Sequence, residues 1–232
     1  MRVSRWFMWA ALSAGTALAC SSGSGSGVQI RTLNGVVRDY FTNGALNLVT
    51  LTVDGRPTLT AISSVGGSYE FADVPSNTTL QVVGSLANYR ATRNEPIAVS
   101  TGSVVADLRM VSTLDANRQY TGLGRTPVAG TSVVFVDLVD AGGQPRPGIP
   151  VADITLVDGA LSPVGIGPFV FGMAGDVVDQ ATLSVTTAFA GRSRVAFLDV
   201  PPGTQTLQVT VGMPSVTLTT AVVASAGGAT LA

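Results

Sequence analysis

The chain has 232 residues, 13 of them basic and 14 acidic, and a formal net charge of −1. Every basic residue is an arginine, because the sequence contains no lysine and no histidine, and Cys20 is its single cysteine. This composition excludes the Ser–His and Cys–His pairs of nucleophilic catalysis, and it excludes zinc sites built on His or Cys. It also excludes a phosphate-binding loop that ends in Lys-Ser or Lys-Thr. We therefore predict no catalytic residue, no metal and no cofactor.

Residues 1–19 have the layout of a secretory signal peptide. Two arginines precede the apolar stretch from Trp6 to Ala14, which is shorter than the roughly 20 residues needed to span a bilayer. Residues 20–27 then combine Cys20 with a run of serine and glycine, which predicts a flexible tether. Removal of the signal leaves a small excess of acidic residues, which argues against nucleic acid as a partner.

The segment that ends at Cys20, Ala17-Leu18-Ala19-Cys20, resembles the bacterial lipobox. The resemblance implies that the cysteine becomes the new N-terminus and carries a diacylglycerol thioether and an acyl chain such as palmitate. Ser21 after the cysteine implies sorting to the outer membrane. Two or more acyl chains hold a protein firmly at a lipid surface. The alternative is an ordinary signal cut that leaves Cys20 as a free thiol.

From residue 28 to residue 112, short alternating segments separated by turn residues predict a β-sandwich domain. Within residues 48–53, Val49, Leu51 and Val53 fall on one face and Thr50 and Thr52 on the other, which is the period of a half-buried strand. Asn43-Gly44 and Asp54-Gly55 predict turns, because glycine adopts positive φ without a steric penalty. Residues 113–131 are less regular, and we predict a junction there. A second β-sandwich is predicted over residues 132–232.

Three short segments of the first half recur in the second. In chain order, Val53-Asp54-Gly55 returns as Val157-Asp158-Gly159, Phe71–Pro75 returns as Phe197–Pro201, and Thr79–Val82 returns as Thr206–Val209. The first two landmarks lie further apart in the second half than in the first. This difference predicts an insert within residues 160–190.

Residues 34–83 resemble the carboxypeptidase regulatory-like domain, a transthyretin-like β-sandwich. Four segments carry the likeness: Gly35–Asp39, Asn43–Leu46, Gly67–Phe71 and Asp73-Val74-Pro75. The resemblance implies a β-sandwich that accompanies other activities and has no active site of its own. The second half matches only from Phe197 onward, so a second copy and an immunoglobulin-like sandwich both fit it.

Aspartates are the remaining candidates for catalysis or calcium binding. Three pairs lie close in sequence: Asp137 and Asp140, Asp153 and Asp158, and Asp176 and Asp179. No EF-hand-like spacing accompanies them, and aspartates at strand ends commonly accept hydrogen bonds from turn amides. The sequence therefore favours turn residues over a glycosidase-like pair.

Two groups of side chains are candidates for binding. Tyr40 and Phe41 precede a turn and could form an exposed aromatic pair that contacts a glycan. Phe169, Phe171 and Met173 lie in the predicted insert, where exposed apolar side chains would mark a contact with a protein partner. The alternative for the insert is an additional hairpin that folds onto its own sandwich.

The sequence thus predicts an all-β protein of two tandem β-sandwiches, anchored to the outer membrane of a bacterial envelope. Its predicted role is that of a non-enzymatic structural or protein-interaction module, whose partners are the membrane and an envelope protein. A glycan-binding lipoprotein is the alternative, and a hydrolase that depends on aspartates is the third hypothesis.

Overall fold

A computed structural model describes residues 29–178, 183–212 and 214–232. Within these ranges the chain is built mainly of β-strands packed as sandwiches, which confirms the predicted all-β class. The predicted signal peptide, Cys20 and the serine and glycine tether lie outside the described residues. None of the helices in the described ranges combines the length and the apolar character that a membrane span requires.

The strands are numbered β1 to β18 in chain order. Those of the first half are β1 Ile30–Asp39, β2 Thr50–Val53, β3 Arg56–Ile62, β4 Ser68–Pro75, β5 Thr78–Leu80, β6 Val82–Ser85, β7 Thr92–Arg93, β8 Ile97–Val99, β9 Val104–Val105 and β10 Leu108–Met110. Those of the second half are β11 Ser132–Asp137, β12 Ile154–Val157, β13 Ile166–Phe171, β14 Val177–Val178, β15 Arg194–Val200, β16 Gly203–Val211, β17 Val216–Ala224 and β18 Ala229–Leu231. Helix α1 spans Thr113–Gly122, and a short 3-10 turn spans Val151–Asp153.

The two halves repeat the same central arrangement of three strands. In the first, β4 runs antiparallel to β1 and β10 runs parallel to it. In the second, β15 and β18 stand in the same relation to β11. Both antiparallel pairs contain a bulge at the repeated aspartate, where Asp73 has a φ of 60° and Asp199 a φ of 53°. The sequence repeat is therefore also a structural repeat, down to the backbone irregularity.

Three groups of buried side chains stabilise the molecule. The first core comes from residues 33–110 and the second from residues 134–224. A third group, here called the interface cluster, lies between the halves. It joins Tyr40 and Val111 to side chains of α1, β11, β13, β15 and β18. Burial of large apolar side chains at this position stabilises the contact between the halves.

Hydrogen bonds also link the halves, because one nine-stranded sheet runs through both. Its order is β14-β13-β15-β11-β18-β7-β6-β2-β3. Strand β18 lies parallel to β7 of the first half, with Ala229 opposite Thr92 and Thr230 opposite Arg93. The Ala229 amide donates to the Ala91 carbonyl at 3.0 Å. The two sandwiches therefore share a ladder as well as a hydrophobic contact.

The predicted junction at residues 113–131 contains a helix rather than irregular chain only. Helix α1 begins after Ser112, whose hydroxyl accepts a hydrogen bond from the Asp115 amide at 3.0 Å. This is an ordinary N-cap, and it satisfies an amide that the first helical turn leaves free. Gln119 on α1 is fully buried and accepts from the Val177 amide at 2.9 Å, which ties the helix to β14.

The segment predicted as an insert forms the hairpin of β13 and β14. Strand β13 pairs with β15, so the hairpin lengthens the sheet beyond the repeated three strands. The first half has no counterpart, since β4 pairs only with β1 among the described strands. The hairpin therefore pairs with the outer edge of β15, whereas the corresponding edge of β4 has no strand partner among the described residues.

Candidate functional site

The expected exposure of the Tyr40–Phe41 pair is wrong. Tyr40 is only 4% exposed and Phe41 is half-buried. The Tyr40 ring stacks on Phe135 of β11 with 5.2 Å between ring centroids, and Phe41 meets Phe135 edge-on at 5.8 Å. The turn that follows β1 folds against the second half, so these aromatic rings join the interface cluster instead of solvent.

The insert forms the hairpin of the second hypothesis, and Phe169 and Phe171 are not exposed as a partner contact there would require. They are 6% and 3% exposed, whereas Met173 in the turn after β13 is 86% exposed. Phe171 lies 5.7 Å from Phe135 and 6.2 Å from Phe41, measured between ring centroids. Pairing of β13 with β15 directs both phenylalanines into the interface cluster. The aromatic residues that the sequence assigns to two different sites therefore meet in one contact between the halves.

A network of charges lies beside this cluster, centred on Asp137 at the end of β11. The Arg194 Nε lies 2.6 Å from one Asp137 carboxylate oxygen, and the Arg192 Nη1 lies 2.7 Å from the other. Arg194 is only 1% exposed, and its guanidinium carbon stands 4.1 Å from the centroid of the Tyr40 ring. A buried guanidinium needs such compensation, because an unpaired buried charge is strongly unfavourable.

A cleft of about 500 Å³ opens between the halves next to this network. Residues 94–97 and 104–109 line it from the first half, and Arg192 and Leu231 line it from the second. Desolvation lowers the pKa of the Arg109 guanidinium, and the positive charges of Arg192 and Arg194 lower it further. Desolvation likewise raises the pKa of the Glu95 carboxyl, with a smaller contribution from Asp137. The cleft thus concentrates charge at a partly dehydrated surface.

The aspartates occupy structural positions. Asp140 accepts from the amides of residues 142 and 144, and Asp158 accepts from those of residues 160 and 162, at 2.8 to 3.0 Å. These contacts confirm the turn interpretation for both residues. Asp176 forms an ion pair with Arg118 at 2.7 Å, and Asp179 lies outside the described residues. In the described ranges no group of three or more His, Cys, Asp or Glu is placed to hold a metal ion.

A second feature is the outer edge of β17. This strand pairs with β16 along its whole length, from Ala224 to Val216, and no described strand pairs with its other side. Residues 216–221 are all exposed, including Val216 and Leu218 at 52% each. The sequence from residue 200 to residue 232 contains no charged side chain. Proteins usually protect exposed strand edges with charge or proline, and β17 has neither along its paired length.

Sequence reasoning identified neither the cleft nor the β17 edge as a site. Arg192 was visible in the sequence as one of two closely spaced arginines, Arg192 and Arg194. Arg109 gave no local signal, since its proximity to the other two arginines depends on the packing of the halves. The absence of charge after Asp199 was visible in the sequence and marks the unprotected edge.

Comparison with known proteins gives likeness in structure only. No family model matches the chain, and no curated protein matches it. Among solved structures, the Bacillus anthracis TIE protein is 14% identical with a TM-score of 0.30, over 88% of this chain and 33% of that one. This chain therefore spans about a third of the length of that protein.

Two further structures resemble the chain over most of both lengths. A variant of the shaft pilin spaA from Lactobacillus rhamnosus GG is 12% identical with a TM-score of 0.28, over 88% of this chain and 96% of that one. A protein of Bacteroides uniformis described as a putative carbohydrate binding protein is 11% identical with a TM-score of 0.30, over 84% and 97%. Such low identities and TM-scores carry no argument about function.

Proposed function

We propose that this protein is a lipid-anchored envelope protein that offers the free edge of β17 to a protein partner. The role is structural or recognitional and involves no chemistry on a substrate. The observation that carries the proposal is the outer edge of β17: residues 216–221 are exposed, carry no charge and have no strand partner on that side among the described residues.

The anchor is supported by the sequence around Cys20. A lipid on this residue and the short tether of residues 21–27 hold the folded part near a membrane surface. The interface cluster and the shared ladder of β18 and β7 make the two halves a single unit. The edge therefore belongs to the same folded unit that follows the tether, and the partner is held near the same membrane.

The edge suits recognition by strand addition. In this mode an extended segment of the partner completes the sheet with main-chain hydrogen bonds, and alternate side chains of the edge select among partners. Strand β3, at one end of the nine-stranded sheet, begins instead with Arg56 and Pro57, which are residues that discourage such pairing. This contrast points to β17 as the edge at which pairing is permitted.

Two charge-insertion variants test the edge. We expect Thr217→Lys combined with Thr219→Lys to abolish partner binding, because charges on an edge strand oppose its pairing. The matched control is Thr58→Lys combined with Thr60→Lys on β3, which changes two exposed threonines in the same way. A photoreactive residue at position 218 should cross-link the partner from intact envelopes, whereas one at position 60 should not. Equal cross-linking at both positions would contradict the proposal.

The anchor has its own test. Cys20→Ser should end palmitate labelling and move the protein from the membrane fraction to the soluble fraction. Palmitate labelling that survives this change would contradict the proposed anchor at Cys20. The glycan-binding alternative depended on Tyr40 and Phe41, and the hydrolase hypothesis depended on the aspartate pairs. No described contact favours either, since these aromatic rings and Asp137, Asp140, Asp158 and Asp176 take part in internal contacts.

A further inference from the structure

The cleft between the halves combines positive charge with an apolar wall. Arg109 and Arg192 line it together with Ile97, Val104 and Leu231. Its volume of about 500 Å³ lies within the range of roughly 300–1,000 Å³ that is common for small-molecule sites. A ligand that matches this surface has an anionic group and an apolar body.

Some charged side chains in and beside the cleft form ion pairs, whereas Arg109 forms none with the described residues. Both carboxylate oxygens of Asp137 are occupied by Arg192 and Arg194, and Asp107 pairs with Arg38 at 3.5 Å. Arg109 is half-buried, yet its guanidinium forms no ion pair and donates no hydrogen bond within the described ranges. Asp137 and Glu95 attract this guanidinium from beyond hydrogen-bond distance, but it lacks the direct partner that proteins normally provide for a partly dehydrated charge.

Asn94 supplies an independent observation. It is 5% exposed and lines the cleft, and its side-chain oxygen accepts a hydrogen bond from the Arg109 amide at 2.7 Å. Its side-chain nitrogen is buried and has no hydrogen-bond partner in the described part of the chain. Buried polar atoms nearly always have a partner, so this unpaired donor beside the cleft is an exception.

We propose that the cleft binds a small carboxylate with an apolar chain. The carboxylate pairs with Arg109, whose planar guanidinium matches a carboxylate with two parallel hydrogen bonds, and accepts from the Asn94 amide. The apolar chain packs on Ile97, Val104 and Leu231. Glu95 lies in the same cleft and competes with the ligand for the positive charge.

Octanoate is a suitable probe, with octanol as its neutral counterpart. Calorimetric titration uses the full chain with Cys20→Ser, so that no protein-bound lipid contributes. We expect one octanoate per chain, bound more weakly as salt is raised, and much weaker binding of octanol. Arg109→Gln should weaken octanoate about tenfold or more, which is the loss expected for a hydrogen bond between charged groups. The control Arg125→Gln changes an exposed arginine outside the cleft and should leave the affinity unchanged.

Glu95→Gln should change the affinity for octanoate in the opposite direction, because it removes the competing carboxylate. Octanoate should bind about threefold more tightly to this variant, as expected from the loss of one nearby like charge. The proposal is overturned if octanoate does not bind, if octanol binds equally well, or if Arg109→Gln and Arg125→Gln have equal effects. A loss of affinity in Glu95→Gln would overturn it too. Octanoate binding and partner contact at β17 use different residues, so either can fail while the other stands.

Discussion

Strands β4 and β15 occupy the same place in the two halves but have different surroundings. In β4, Tyr69 and Phe71 are buried in the first core, and Glu70 and Ala72 between and after them are exposed. In β15 every residue except Asp199 is buried. Val195, Phe197 and Val200 face the second core, and Ala196 and Leu198 face the interface cluster.

This comparison explains why the repeat is faint in the sequence. A strand covered on one face alternates apolar and polar residues, whereas a strand covered on both faces does not. The interface cluster covers the second face of β15, and the hairpin of β13 and β14 covers its edge. The alternating Ser68–Phe71 of the first half therefore becomes the unbroken Arg194–Phe197 of the second, although the backbone arrangement is retained.

The largest effect is expected from an exchange of Glu70 and Ala196, which stand at equivalent positions. Ala196→Glu places a carboxylate in the interface cluster and should lower the free energy of unfolding by about 4 kcal/mol. Glu70→Ala on the exposed face of β4 should change it by less than about 0.5 kcal/mol. Urea unfolding of both variants measures the difference. Similar values would show that β15 is as exposed as β4.

Truncation of the interface cluster should have the next largest effect. Phe171→Ala removes a buried ring that contacts Phe41, Phe135 and Phe189, and should cost about 3 kcal/mol. Met173→Ala, two residues later but 86% exposed, serves as the matched control and should cost less than about 0.5 kcal/mol. Thermal unfolding checks both, and equal shifts would contradict the burial of β13.

The aspartates at the two bulges, Asp199 and Asp73, should differ by a smaller amount in their contribution to stability. Asp199 accepts hydrogen bonds from the Tyr120 hydroxyl, the Val128 amide and the Thr131 hydroxyl, at 3.0 to 3.2 Å. Asp73 is exposed and accepts none from the described residues. Asparagine tolerates positive φ, so Asp199→Asn should cost about 1–2 kcal/mol through weaker hydrogen bonds, and Asp73→Asn should be nearly neutral. The denaturant midpoints of the two variants check this expectation. Equal losses for Asp199→Asn and Asp73→Asn would indicate a backbone effect common to both bulges instead of the loss of hydrogen bonds to Asp199.

The smallest effects concern two buried phenols. The Tyr69 hydroxyl donates to the Ala106 carbonyl at 2.6 Å, whereas the buried Tyr40 hydroxyl has no partner among the described residues. Tyr69→Phe should therefore cost about 1 kcal/mol at neutral pH, and Tyr40→Phe should be neutral or slightly stabilising. Chemical unfolding at pH 7 compares the two variants. A larger loss of stability from Tyr40→Phe than from Tyr69→Phe would contradict this expectation, because it would show that the Tyr40 hydroxyl has a hydrogen-bond partner.

The same pair predicts a dependence on alkaline pH. Burial raises the pKa of both Tyr40 and Tyr69 above the ordinary value for a phenol. The folded state therefore favours the protonated phenol, and its stability is complete below about pH 10 and falls as pH rises further. Tyr40→Phe should make this fall shallower. Unfolding free energies measured between pH 8 and pH 11 test the slope, and an unchanged slope would argue against burial of the ring.

Much of the fold could be predicted from local sequence. Alternation identified strands such as β2 and β4, and Asp140 and Asp158 behaved as turn residues. The repeat of Phe71–Pro75 as Phe197–Pro201 marked the equivalent strand in each half, although it did not predict the bulge there. Helix α1 was missed, although Ser112 followed by Asp115 is a capping pattern. Its short length and low apolar content made the helix inconspicuous.

The sites could not be predicted in the same way. Whether Tyr40, Phe41, Phe169 and Phe171 are exposed depends on how the halves pack, and no pattern within either half encodes that packing. The charge cleft has the same origin, since Arg109 and Arg192 come together only across the interface. Local periodicity gives the face of a strand that is buried, but it does not identify the surface that covers the other face.

Strand β18 has a consequence for how the protein folds. Ala229–Leu231 lies between β11 and β7, so the link between the sandwiches requires residues that are far apart in the chain, such as Thr92 and Ala229. Contacts of such high sequence separation form late, because a long loop must close before they contribute. Slow refolding, with loss to aggregation at high protein concentration, is therefore the expected behaviour.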